Sequence, residues 1–279
     1  MGMFANNLIR KAAAGQLCKA STRPPIPLQA FGVKAMAHPT IATLVKNAGY
    51  DSLFIDLEHS NLSISDASIL SHASLNAGLT PFVRVPHQCG NGFVQRVLDG
   101  GAMGIIFPHV SSVEDAKAAV SISKYPPQGV RSMTGQLPIF NLEAVPQATV
   151  IAEGNTLGST VLVMIEDKRA VANVDAIAAV PGVDVLLVGS NDLAIDLGAP
   201  GAFTTPEFRS ALEAIAAACK KHGKIMALAG IYDQPEIQGW VVRNLGAKYL
   251  LCQQDTAVVA SGALNALRAV ELNVEKPAN

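Results

Sequence analysis

Charge is scarce in this chain: only 15% of its 279 residues are Asp, Glu, Lys or Arg. The 21 basic and 22 acidic side chains nearly cancel to a net charge of −1, so no basic field invites nucleic acid. Aromatic residues are also few, at 5% with a single Trp. With 49% hydrophobic residues, this composition argues against a disordered chain and against a coiled coil. No run reaches the roughly 18 consecutive apolar residues that a membrane span needs. The four cysteines (Cys18, Cys89, Cys219, Cys252) are scattered and show no C-x-x-C spacing. A zinc–thiolate site and a disulfide scaffold are therefore not expected, and a reducing, cytoplasmic setting is.

Acid is missing altogether before Asp51, whereas Arg10, Lys11, Lys19, Arg23, Lys34 and Lys46 precede or closely border that point. The bias faintly resembles a transit peptide, but Asn6–Gln16 reads more simply as a short capping helix followed by a Pro-rich connector. Met1-Gly2 is not a myristoylation signal, because Asn stands at position 6 where Ser or Thr is needed.

What the chain does have is alternation. Short apolar runs at Phe31–Ala37, Ser52–Leu57, Thr80–Val85, Gly104–Pro108, Thr160–Ile165, Val183–Val188, Lys224–Ala229 and Lys248–Cys252 read as strands. Segments of helical period separate and follow them: Thr40–Asn47, Ser65–Asn76, Gly92–Leu98, Val113–Ser123, Ala170–Ala179, Pro206–His222, Pro235–Leu245 and Thr256–Leu272. Gly49, Gly78, Gly182 and Gly223 stand where helices stop, and Thr205-Pro206 marks a start. Eight continuous apolar strands, each followed by a helix, predict a parallel (β/α)8 TIM barrel. A doubly wound open sheet is the rival, but the G-x-G-x-x-G turn after the first strand is absent. The expected organisation is an N-terminal helix and connector over residues 1–30 and a single barrel domain over 31–279. The Pro- and Gly-rich stretch Tyr125–Asn155 is too long for an idle loop and reads as a cover for the active face or a subunit contact.

In such a barrel the chemistry sits where strands end, and the scarce charges gather there. Strand two ends in Asp56-Leu57-Glu58-His59, strand three carries Arg84, and strand four ends in His109. Strand five ends in Glu166-Asp167, and strand six leads through Gly189-Ser190-Asn191 to Asp192; Gln253 and Gln254 close strand eight. Glu166 and Asp192 could converge on one hard cation such as Mg²⁺, Mn²⁺ or Co²⁺, or could each cap a helix. Arg84 lies in an apolar strand and must meet an anion, either Asp56 or Glu58 or a substrate carboxylate. His59 could act as a general base if Asp56 orients its ring, although His38, His87 and His109 also lie near this rim.

These residues, taken in order, resemble the HpcH/HpaI aldolase/citrate lyase family, in its metal-dependent pyruvate aldolase branch. The resemblance runs from about Phe31 to Leu272. It rests on Phe31-Gly32-Val33, Gly49-Tyr50-Asp51, Asp56-x-Glu58-His59, Arg84-Val85-Pro86, Leu98-Asp99-Gly100-Gly101-Ala102, Tyr125-Pro126-Pro127-x-Gly129-x-Arg131, Ile165-Glu166 with Asn173, and Gly189-x-x-Asp192-Leu193. It implies that Glu166 and Asp192 bind a divalent metal, that His59, held by Asp56, is the base, and that Arg84 grips the pyruvyl carboxylate with the Ser190-Asn191 backbone. Asp99 matches an aspartate that approaches the site, from a neighbouring subunit or as a bland helix-end contact. Two departures touch the pyruvyl pocket: Met164 stands where the family often has Gln, and Ser190 replaces the Pro of a Gly-Pro-x-Asp turn. The implied reaction is cleavage or formation of a 4-hydroxy-2-oxo acid through a pyruvate enolate, with oxaloacetate decarboxylation beside it. The implied partners are a small 2-oxo acid, an aldehyde and further copies of the chain (a hexamer or trimer-based assembly). Alternatives are a Schiff-base aldolase using Lys34 or Lys168, a macrophomate synthase-like trap for the enolate, and a binding barrel without catalysis.

Overall fold

The computed structural model describes residues 2–17 and 27–274. The Pro-rich connector expected after the first helix, and Cys18, lie mostly outside the described residues. Among the described residues, strands β1 (Leu28–Val33), β2 (Ser52–Asp56), β3 (Thr80–Arg84), β4 (Gly104–Phe107), β5 (Thr160–Ile165), β6 (Val185–Gly189), β7 (Ile225–Ala229) and β8 (Tyr249–Gln254) pair in sequence order into a closed barrel. Every pairing is parallel, including β1 with β8. The protein is a (β/α)8 TIM barrel.

Period-two alternation explains why continuous apolar strands suit this closure. Leu28 and Ala30, Phe54, Phe82, Ile106, Leu162 and Met164, Val185 and Leu187, and Tyr249 and Leu251 fill the barrel interior. Their neighbours Phe31, Leu53, Ile55, Val83, Ile105, Val163 and Val188 face outward under the helices. Those helices are α2 (Thr40–Asn47), α3 (Ile64–Asn76), α4 (Asn91–Asp99), α5 (Val113–Ser123), α7 (Lys168–Ala172), α8 (Val174–Ala178), α10 (Pro206–His222) and α11 (Pro235–Arg243). Serine capping boxes at Ser63 and Ser112, and Thr205 with Pro206, start three of them. The helix expected over Ala170–Ala179 is broken at Asn173, whose side chain donates to the Ser111 carbonyl.

A first helix, α1 (Asn7–Leu17), closes the N-terminal end of the barrel. Leu8 is fully buried in the interior cluster. Asn6 Nδ2 donates to the Thr160 hydroxyl at 2.9 Å, and Asn7 Nδ2 donates to the Asp51 and Gly78 carbonyls.

Two expectations are corrected, and the last helix adds a finding of its own. The stretch 125–155 does not cover the active face. It joins α5 to β5, so it lies at the N-terminal end, where Leu137, Ile139, Phe140 and Val150 pack with Met103, Met3 and Phe4. It also contains a 3₁₀ turn (Pro138–Phe140) and most of a helix, α6 (Gln147–Thr156), hidden among its prolines. Strand β1 ends at Val33, not Ala37, because Asp255 captures the next three backbone N–H groups. The last helix, α12 (Asp255–Val274), does not lie along its own barrel: Val258, Val259, Leu264, Leu267 and Val270 are each 44–62% exposed.

Candidate active site

At the C-terminal mouth of the barrel a cavity of about 240 Å³ opens. Asp56, His59, Arg84, Ser190, Asn191 and Asp192 line it together, over a floor that includes Phe54, Met164 and Leu251. Glu166, one residue past β5, is 2% exposed and lies immediately behind Gly189. The sequence expectation that these charges share one rim is met.

Arg84 meets its structural anions. Parallel register sets Asp56 opposite Arg84 across β2 and β3. Arg84 Nε donates to Asp56 Oδ1 at 2.9 Å and Nη2 to Oδ2 at 2.6 Å, a bidentate fork, while Nη1 lies 3.2 Å from Glu58 Oε2. Burial alone would raise the Asp56 pKa. The Arg84 bond and charge, with backbone N–H bonds from His59 and Glu58, outweigh burial and hold it below the ordinary carboxylate value. The guanidinium keeps N–H groups beyond those three contacts and borders the cavity.

Asp56 therefore does not hold the His59 ring. Its Oδ1 accepts from the His59 backbone N–H at 3.2 Å, fixing the turn, while the ring Nε2 lies 3.7 Å from Glu58 Oε2. The imidazole is 57% exposed. Glu58 is thus the carboxylate beside the ring, a role the sequence reading gave to Asp56.

Neither Glu166 nor Asp192 caps a helix. Asp167 caps α7, accepting from Ala170 N–H at 2.6 Å, and Asp192 sits in the first turn of α9 (Ser190–Asp196) with its side chain at the cavity. Glu166 Oε1 accepts the His109 backbone N–H at 2.5 Å and lies 3.2 Å from His109 Nδ1. Its Oε2 points past Gly189, where an added Cβ would come within 2.4 Å. Burial pushes the Glu166 pKa up; His109 pulls it down, and the negative charges of Asp192 and Glu58 push it up again. Such like-charged crowding suits a divalent cation, and the Ser190 hydroxyl, buried without a hydrogen-bond partner among the described residues, suits a ligand beside it. Among the described residues no group of three or more His, Cys, Asp or Glu converges as a metal cage.

Asp99 does not join this cavity. It ends α4, at the opposite end of the barrel, and accepts from Arg131 Nη2 at 2.7 Å. Arg131 is fully buried and stacked 4.5 Å from the Tyr125 ring centroid. Of the candidate lysines, Lys34 lines the cavity and Lys168 is exposed outside it. His87 packs edge-on against His109 at 5.0 Å. Tyr232, one residue beyond Ile231 after β7, was missed by sequence reasoning although it lines the cavity; burial pushes its hydroxyl up to about 12, so it is a neutral donor.

The sequence matches the HpcH/HpaI aldolase/citrate lyase family over residues 34–245. It is 51% identical over 270 residues to the 4-hydroxy-4-methyl-2-oxoglutarate aldolase tasA of Hapsidospora irregularis, covering 97% of this chain and 96% of the relative. It is 50% identical over 265 residues to the 4-hydroxy-4-methyl-2-oxoglutarate aldolase cghB of Chaetomium globosum, covering 95% of each. An HpcH/HpaI aldolase from Desulfitobacterium hafniense superposes with a TM-score of 0.86 at 29% identity, over 99% of this chain and 98% of that one. Family, fold and strand-end chemistry agree: the chain belongs to the HpcH/HpaI aldolase/citrate lyase family and is a carbon–carbon lyase of the aldolase kind.

Proposed function

We propose that this enzyme cleaves 4-hydroxy-2-oxo acids, releasing pyruvate and a carbonyl product, with oxaloacetate decarboxylation as a side activity. The observation that carries the proposal is the convergence of Arg84, His59, Asp192 and the Ser190-Asn191 turn on one cavity, with Glu166 immediately behind it. A divalent cation held by Glu166 and Asp192 would supply Lewis-acid stabilisation as negative charge grows on the 2-oxo oxygen. Arg84, fixed by Asp56 and Glu58, presents its remaining N–H groups to the pyruvyl carboxylate. Ser190 and Asn191 bring their backbone N–H groups to the same end. The His59 imidazole, beside Glu58, removes the proton from the C4 hydroxyl. The C3–C4 bond then breaks, and the electron pair passes into the pyruvate enolate, which is reprotonated at C3. Met164 and Phe54 give the cavity floor an apolar character that suits a substituted carbon chain.

A screen of 4-hydroxy-2-oxo acids, including 4-hydroxy-4-methyl-2-oxoglutarate, tests this by pyruvate release with Mg²⁺, Mn²⁺ or Co²⁺. Chelation should abolish release, and each metal tried separately should show which ion restores it. Glu166→Ala and Asp192→Ala should lose metal binding together with activity while staying folded. Trapping of the chain by borohydride with pyruvate would instead favour a Schiff base at Lys34.

Assembly belongs to the same proposal. The exposed apolar side chains of α12 suit the barrel of a second copy, and a neighbouring copy would be the route by which Asp99 approaches an active site. Light scattering should find an oligomer at micromolar concentration; a monomer there would remove this part of the reading.

A further inference from the structure

We infer that Lys34 is the residue that reads the far end of the substrate, selecting 4-hydroxy-2-oxo acids that carry a second carboxylate. The inference rests on the aldolase reading above and deepens it.

Charge balance singles out this lysine. One arginine and one lysine line the cavity, Arg84 and Lys34. Arg84 is already matched by Asp56 and Glu58, and Asp192 with Glu166 forms the pair that suits a metal. Lys34 has no acid partner among the described residues. A partly buried ammonium without an anion is costly, and a cavity that retains one is suited to an anionic ligand group.

Position says which group. In a closed eight-stranded barrel β1 lies across from β5. Lys34 follows β1, whereas Glu166 follows β5 and the Arg84–Asp192 end spans β3 to β6. A ligand whose pyruvyl end sits at Arg84 and Asp192 therefore extends toward β7, β8 and β1, where Tyr232 and Gln254 border the cavity with Lys34.

The lysine is also held in place. Asp255, 1% exposed, accepts from the backbone N–H groups of Lys34 at 3.1 Å, Ala35 at 2.9 Å and Met36 at 2.8 Å. That clamp fixes the backbone of a residue that lines the cavity, so less freedom is lost when its side chain meets a carboxylate.

A binding measurement tests the idea without turnover. 2-Oxoglutarate and 2-oxopentanoate share the pyruvyl end and differ in a terminal carboxylate against a methyl. Neither has the C4 hydroxyl that cleavage requires. Calorimetric titration with Mg²⁺ present should show the wild-type protein preferring the diacid by about 10- to 100-fold, the range of a charged hydrogen bond. Lys34→Met and Lys34→Gln should bring the two affinities to within about threefold, and Lys34→Arg should keep most of the preference. Absence of a wild-type preference, or its survival in Lys34→Met and Lys34→Gln, would overturn the inference. So would equal weakening of both ligands, which would place Lys34 at the shared end. A protein that binds the diacid selectively yet cleaves no 4-hydroxy-2-oxo acid would refute the aldolase reading and leave this one standing.

Discussion

Replacing Gly189 by alanine tests how closely the Glu166 carboxylate is cradled. The glycine has φ −88°, on the negative side that alanine occupies readily, so the issue is space and not backbone strain. An added Cβ would lie 2.4 Å from Glu166 Oε2, 2.8 Å from Glu166 Cβ and 3.0 Å from Met164 Cε. Non-bonded carbon contacts settle at about 3.5–4.0 Å, so the carboxylate must retreat by roughly 1 Å. Met164 can turn its flexible end away. Glu166 cannot move freely, because its Oε1 is tied to the His109 backbone N–H at 2.5 Å. Overpacking of this kind costs about 1–3 kcal/mol of stability. A catalytic group displaced by about 1 Å loses on the order of 10²-fold in rate. Gly189→Ala should therefore stay folded by circular dichroism, with kcat/KM for retro-aldol cleavage reduced about 100-fold and Mn²⁺ affinity reduced about 10- to 100-fold. Gly90→Ala, at the N-cap of α4 with φ −74° and nothing near its added Cβ, is the control and should keep the wild-type rate and Mn²⁺ affinity, whatever small stability it loses at the cap. Wild-type Mn²⁺ affinity in Gly189→Ala would refute the reasoning, because the carboxylate would then have room that the structure denies it.

Arg84→Lys keeps the charge but not the fork, so Asp56 loses one of two charged bonds. A stability loss of about 1.5–3 kcal/mol in urea is expected, together with poor turnover of every pyruvate-derived substrate; outright unfolding would show the arginine to be structural alone. His59→Ala should lose about 10²–10⁴-fold in aldol cleavage but much less in oxaloacetate decarboxylation, which needs no hydroxyl deprotonation; equal losses would move the base elsewhere on the rim. Asp56 has a folded pKa below its unfolded value, so its ionised form adds stability above the ordinary carboxylate pKa of about 4. That stability is lost as pH falls through the lower folded value. Thermal melts below about pH 4 should accordingly show a steep decline that is shallower in Asp56→Asn, although Asp56→Asn should already be weaker at pH 7.

The barrel itself was legible because local patterns sufficed for it. Strand β5 and helices α2, α5 and α10 begin and end where apolar period, serine and threonine caps and glycine stops place them. What escaped the sequence depends on residues far apart. Strand β1 stops early because a carboxylate 221 residues later takes its amides. The apolar period of Thr256–Leu272 announced a helix but not its departure from the barrel flank. At the site, residue types and their common rim were readable, and pairings were not. Which anion meets Arg84 is decided by strand register, and which carboxylate stands beside the His59 ring is decided by a turn whose backbone Asp56 itself fixes.

Asp255 is at once the first residue of α12 and the anchor of the turn after β1. A single buried carboxylate thus rivets the start of the outlying helix to the lip of the cavity. Because α12 continues directly from β8, which pairs with β1, the helix start and residues 34–36 are joined twice, through the strand pairing and through this side chain. The mouth and the distant helix thus share one side chain, which accepts three N–H groups from the lip and, within its own helix, that of Thr256.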